Sequence, residues 1–269
     1  MATFLYEFMR QVDENWMEID LLITEAESAR ASNLSLYNAI CRSASILMVS
    51  HLEGFTKGLV KAVVRDLNEN CDFGELPKPI QRTYCKKYLG NNIDSVGDKH
   101  EKKVVLLIDK FSEMKSKISH EPSHFPVNKN PNPNVINAIY TNFGIKNVFL
   151  HLHQSELDDV FSESHDYVIE CIQREKDNVS IGVSQFPYTI TFSNMGLTKS
   201  VLDVKGGRTL WEEFIDQINM KRHSIAHGND FVNSEDVVVL KESKARLVFL
   251  QLGLISIVGA YISENIVSK

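Results

Sequence analysis

Arg222 and His227 stand five positions apart at the end of a run of apolar residues, with His223 between them and Gly228 directly after. An arginine beside histidines sets a permanent cation next to groups that can exchange protons. The planar guanidinium fork fits phosphate oxygens, and an imidazole takes and gives protons near neutral pH. The spacing alone is what chance supplies to a chain with nine arginines and nine histidines; the setting is more informative. Thr209-Leu210-Trp211-Glu212 has the form of a capping box, so a helix starts there. Trp211, Phe214, Ile215, Ile218 and Ile225 recur along one side, and Gly228 supplies the left-handed residue that stops it. His227 then falls where free carbonyls and the negative end of the helix dipole favour an imidazolium. Five residues turn a helix by about 500°, so Arg222 and His227 leave it roughly 140° apart. His223 and His227, four apart, share a face. The competing reading is a pair of helix-end cations with no catalytic use.

Other candidates are weaker. His151 and His153, with Glu156, Asp158 and Asp159 nearby, could offer metal ligands, but no third ligand is fixed by spacing and a surface cluster is the simpler reading. The run Lys99-His100-Glu101-Lys102-Lys103 reads as a solvated face, though one that could help guide a polyanion. Gly206-Gly207 lacks the lysine and serine of a phosphate loop and reads as a turn. Cys41, Cys71, Cys85 and Cys171 form no C-x-x-C pair, and idle thiols in a reducing compartment are expected.

The elements that must position these groups are mostly helical. Apolar residues at spacings of three and four predict long helices over residues 4–31 and 35–67, joined by a short Asn/Ser turn and therefore packed antiparallel. Shorter helices are expected near 102–117, 134–143 (closed by Gly144) and 157–174, with the motif helix over 209–227 and a last long helix over 242–263. Residues 120–133, dense in Pro, Asn, Ser and His, read as an exposed loop. Tyr188-Thr189-Ile190-Thr191-Phe192 alternates and is β-branched, which predicts a short hairpin. The fold class expected is mainly α: a helical bundle with a partly irregular or short β-hairpin insertion, in one domain over residues 1–269 with the insertion at about 146–207. The apolar run 247–262 is too short for a usual membrane span and carries Gln251 and Gly253, so a buried helix is expected. No secretory signal is visible, and the protein is expected in the cytoplasm without membrane attachment. A net charge of −6 argues against a broad, non-specific phosphate-binding surface, though not against a small local site.

Arg222-His223, followed by Ala226-His227-Gly228, resembles the R-[NHD]-x-x-A-H-G ending of HEPN domains, in particular the RiboL-PSP-HEPN-like prokaryotic nuclease group. The stretch from Ser45 to Phe55, containing His51, Glu53 and Gly54, is similar to that group's second helix. Pro131-Asn132-Pro133-Asn134-Val135-Ile136, closing in Phe143-Gly144-Ile145, is similar to its segment before the motif helix. The resemblance implies a HEPN-type helical bundle and a metal-independent endoribonuclease of toxin or phage-defence type, with RNA as partner and no cofactor or metal. His227 would serve as acid or base, Arg222 as phosphate clamp, and His223 would orient the phosphate or its neighbour. Glu53 could hold Arg222 or a histidine in place; a helix-pairing carboxylate is the alternative. A homodimer is expected too, because cleavage by a 2′-OH works best with an acid and a base on opposite sides of the phosphate, which a two-fold axis would provide. An antitoxin or sensor protein is the regulator such a nuclease calls for. The alternative function is a catalytically silent ligand-binding or assembly module, since the superfamily also holds members that do not cleave RNA.

Overall fold

The computed structural model describes residues 2–89, 98–120, 130–153, 155–197, 207–228 and 235–266. Among them it contains helices α1 (Phe4–Ala29), α2 (Leu34–Asn70), α3 (Lys78–Lys86), α4 (Asp98–Glu113), α5 (Pro133–Phe143), α6 (Val148–His153), α7 (His165–Val183), α8 (Leu210–Ala226) and α9 (Val237–Asn265). The mainly α bundle expected from the periodicity is what forms.

α1 begins where the Thr3 hydroxyl accepts from the Tyr6 N–H, and it buries Leu5, Met9, Val12, Trp16, Ile19 and Ile23 along one stripe. Asn33 caps α2 in the same manner, and the two lie antiparallel, as the short turn requires. α9 occupies the centre. Every residue from Leu247 to Ala260 is buried, so an apolar helix long enough to cross a membrane is here wrapped by protein. Its one strongly polar core side chain, Gln251, accepts from the Trp16 indole N–H at 2.8 Å. α2 and α9 run in the same direction. The Val237 N–H donates to the Tyr37 hydroxyl where they start, and Tyr188 bonds to both Asp66 and Ser263 where they end.

The expected hairpin does not form, and no strand occurs among the described residues. The alternation itself is real, since Tyr188, Ile190 and Phe192 point inward. No second strand accompanies them. The Thr189 N–H bonds to the Gly182 carbonyl of α7 at 2.9 Å and the Phe192 N–H to the Glu264 carboxylate of α9 at 3.1 Å. The segment is an extended strap between two helices. It comes so close that a Cβ at Gly182 or Gly259 would stand 2.9 Å from the Ile190 side chain. The stretch read as an insertion at 146–207 also supplies α6, a 3-10 turn over Glu156–Phe161 and α7, and its buried residues join the same core as the long helices. α3 and α6 have no counterpart among the helices expected from the sequence. The helix expected at 157–174 divides into the 3-10 turn and α7, because Ser164 caps a fresh start. Of the loop read at 120–133, residues 121–129 lie outside the described residues, as do Gly206 of the Gly-Gly turn and the side chains of Lys99 and Glu156.

Candidate active site at the end of the motif helix

α8 starts on the capping box read from the sequence. The Thr209 hydroxyl accepts from the Glu212 N–H at 3.2 Å, and the Glu212 carboxylate accepts from the Thr209 N–H at 2.9 Å. Two orphan donors are thereby satisfied, and the first turn is fixed. Trp211, Phe214 and Ile215 are buried, with Trp211 and Phe214 edge-on to Phe161 at 4.7 and 6.1 Å. The first half is thus anchored. The second half is not: no residue after Ile215 is fully buried, and Met220 is 71% exposed. Ile218 and Lys221 border a small cavity with Ser45 and Met48 of α2 and Ser243 and Leu247 of α9. The motif is therefore carried on a rigid helix whose end stands at the surface.

His223 and His227 are both exposed, and their rings meet at 4.2 Å between centroids. His227 closes the helix, its N–H donating to the His223 carbonyl at 3.0 Å, and Gly228 follows at φ 73°. The left-handed stop expected at Gly228 is present. The end of the helix dipole favours cationic or proton-donating groups at this spot. Arg222 leaves on a diverging side, as the helix geometry requires. Its Nη1 donates to the Asn130 side-chain oxygen at 2.9 Å. The segment holding Asn130 is itself fixed to α8, because the Asn219 amide donates to the Pro131 carbonyl at 3.2 Å. Asn132 then caps α5 by accepting from the Val135 N–H.

The structure therefore brings His223 and His227 together, whereas Arg222 leaves on a diverging side and is held there by a neutral partner. Glu53 is not part of this group. Its carboxylate accepts from Lys57 one turn along α2 at 2.6 Å, the helix-pairing alternative. Asn130 and Asn219 were missed by sequence reasoning. The Asn-Pro-Asn-Pro composition signalled a loop, and Asn132 before Pro133 could have been read as an N-cap with proline at N1, but nothing local showed that Asn130 would reach residue 222. His151 and His153 part company. His151 is buried against the Phe192 ring at 5.4 Å, whereas His153 is ion-paired with Asp158, whose carboxyl is pushed up by burial and drawn back by that histidine. No group of three or more His, Cys, Asp and Glu side chains with metal-binding geometry occurs among the described residues.

A helical bundle ending its penultimate helix in Arg-His-x-x-Ala-His-Gly has the make-up of a HEPN domain. The sequence model of the RiboL-PSP-HEPN family matches residues 17–251, and the chain belongs to that family. The HEPN group to which it belongs commonly includes ribonucleases. No curated protein and no solved structure matches the chain.

Proposed function

We propose that this protein is a metal-independent endoribonuclease of the toxin or phage-defence kind, acting in the cytoplasm as a homodimer under an antitoxin or sensor protein. The observation that carries the reading is the exposed helix end, where two imidazoles touch and the adjoining arginine, on a diverging side, is held by an uncharged amide. In the reaction, one imidazole takes the proton of a ribose 2′-OH as its oxygen attacks the neighbouring phosphorus. A second gives a proton to the departing 5′-oxygen, and Arg222 stabilises the charge of the phosphorane. The products are a 2′,3′-cyclic phosphate and a 5′-OH, with atoms and protons balanced and no other reactant.

Dimerisation is supported by what surrounds the motif. Met220, two residues before Arg222 on the half of α8 that no core residue anchors, is 71% exposed. An apolar side chain in that position suits a surface covered by a second copy. Total RNA incubated with the purified chain tests the activity. Cleavage that is lost with Arg222→Ala and with His227→Ala is the expected result, and unchanged cleavage in both variants would remove the motif from the mechanism.

A further inference from the structure

Charge is unevenly distributed along the chain. Residues 78–117 hold ten lysines and arginines against five aspartates and glutamates, a net charge of +5, whereas the whole protein carries −6 and the other residues therefore −11. The negative total conceals a concentrated basic region. No acid interrupts Lys78, Arg82, Lys86 and Lys87, and the first three, each four residues on from the last, share one face of α3. Arg82 is tied to Glu101 of α4 at 2.6 Å. That bond joins the α3 stripe to α4, on which Lys102 and Lys103 are exposed, as are Lys78 and Lys86 of α3. Of the nearby acids, Glu113 is paired with Lys110 and Asp72 with Lys115, while Asp109 of α4 is exposed.

The same unit holds a fixed aromatic surface. The rings of Phe73, Tyr84, Tyr88 and Phe111 pack at 5.3 to 5.6 Å between centroids. The Tyr88 hydroxyl donates to that of Tyr84 at 2.9 Å, and the Lys87 ammonium lies 4.8 and 5.2 Å from the two tyrosine rings. Tyr88 is nonetheless half exposed. A braced, half-exposed ring beside surplus cations suits single-stranded nucleic acid, whose phosphates meet lysines while an unstacked base lies on the ring. A duplex offers no such base.

We propose that the α3–α4 unit is a second RNA-binding surface, gripping a single-stranded or looped stretch through Lys78, Lys86, Lys102 and Lys103 and one base on Tyr88. The inference rests on the reading of RNA as substrate. α3 packs on α2 at Val64, whereas α8 meets α2 at Ser45 and Met48. Along a helix that is a separation of about 25–30 Å, so the RNA engaged is longer than the few nucleotides the motif can touch.

The test is equilibrium binding of a labelled mixed-sequence RNA strand, and of its duplex, to the full chain carrying His227→Ala so that the RNA survives. Replacing Lys78, Lys86, Lys102 and Lys103 by alanine should weaken binding at least about tenfold. It should also flatten the plot of log affinity against log salt by about 0.7 for each phosphate that the lysines no longer neutralise. Tyr88→Ala should weaken binding about tenfold with little change of slope, while Tyr88→Phe, which keeps the π-face, should bind as the parent does. Lys103→Glu, a single exposed change, serves if the fourfold variant fails to fold. A parent that binds no RNA, prefers the duplex, or keeps both affinity and slope through these changes would overturn the proposal. Binding that behaves as expected in a protein whose wild type cleaves nothing would instead sink the catalytic reading and leave this surface standing.

Discussion

Arg222 and His227 make different demands on their surroundings, and their neighbours reflect it. A proton-transferring imidazole must stay accessible, and His227 is exposed at a helix end. A phosphate clamp must be aimed without being neutralised, and Asn130 holds Arg222 through an amide oxygen, which carries no charge. Asn130→Asp would replace that partner with a carboxylate. Cleavage should then fall by about tenfold at neutral pH, more than for Asn130→Ala; a loss no greater than that of the alanine variant would show that the charge of the partner does not matter. Arg222→Lys should not restore the function of Arg222→Ala, because an ammonium cannot offer the two-pronged grip. Glu53, engaged with Lys57, should be dispensable: Glu53→Gln should cleave within about twofold of wild type, and a loss resembling that of His227→Ala would return Glu53 to the site.

The helices carry these residues on a frame pinned at a few polar points. Asp66, buried near the end of α2, accepts from the N–H groups of Phe4 and Leu5 at 2.7 and 2.9 Å and from the Tyr188 hydroxyl at 2.8 Å. One carboxylate thus joins the first turn of α1, the last turns of α2 and the strap. Asp66→Ala would strand three donors, and urea denaturation should show a loss of roughly 2–4 kcal/mol. His51 links α2 to α1 differently. Burial pushes its imidazole below the ordinary value, opposed by Glu18 at 3.6 Å. Because the unfolded chain binds that proton first, the stability held above about pH 6.5 should drain away as pH falls through the lower folded value. His51→Gln should flatten that part of the stability-pH curve; an unchanged slope would assign the acid sensitivity elsewhere.

Elements of this length are legible because burial imposes a period on the sequence. Trp16, Ile19 and Ile23 mark α1, and the capping box and glycine bracket α8. The strap imitates a hairpin strand for a physical reason: alternation records which side of an extended segment is buried, and a pair of helices can cover that side as well as a sheet can. Asn130 is illegible because its partner lies 92 residues away. Local composition shows a loop there and cannot show where the loop will dock.

At the scale of the whole molecule, the proposed chemistry calls for a second copy. Each chain presents two touching histidines on one face and an arginine on another, with the exposed Met220 beside the motif. Light scattering at working concentration should report a dimer. Mixing Arg222→Ala chains with His227→Ala chains should recover cleavage above either variant alone if the site is shared, and verified heterodimers with no recovery, beside a wild-type/double-mutant control, would make each chain self-sufficient.

The central claim is that an arginine and histidines, without a metal, cut RNA through its own 2′-OH, and product chemistry in the presence of a chelator tests it most directly. RNA incubated with the protein in EDTA should be cleaved to fragments ending in a 2′,3′-cyclic phosphate and beginning with a 5′-OH, and both ends should vanish with His227→Ala. Cleavage that stops with EDTA, returns with Mg²⁺ and leaves a 5′-phosphate would contradict this mechanism.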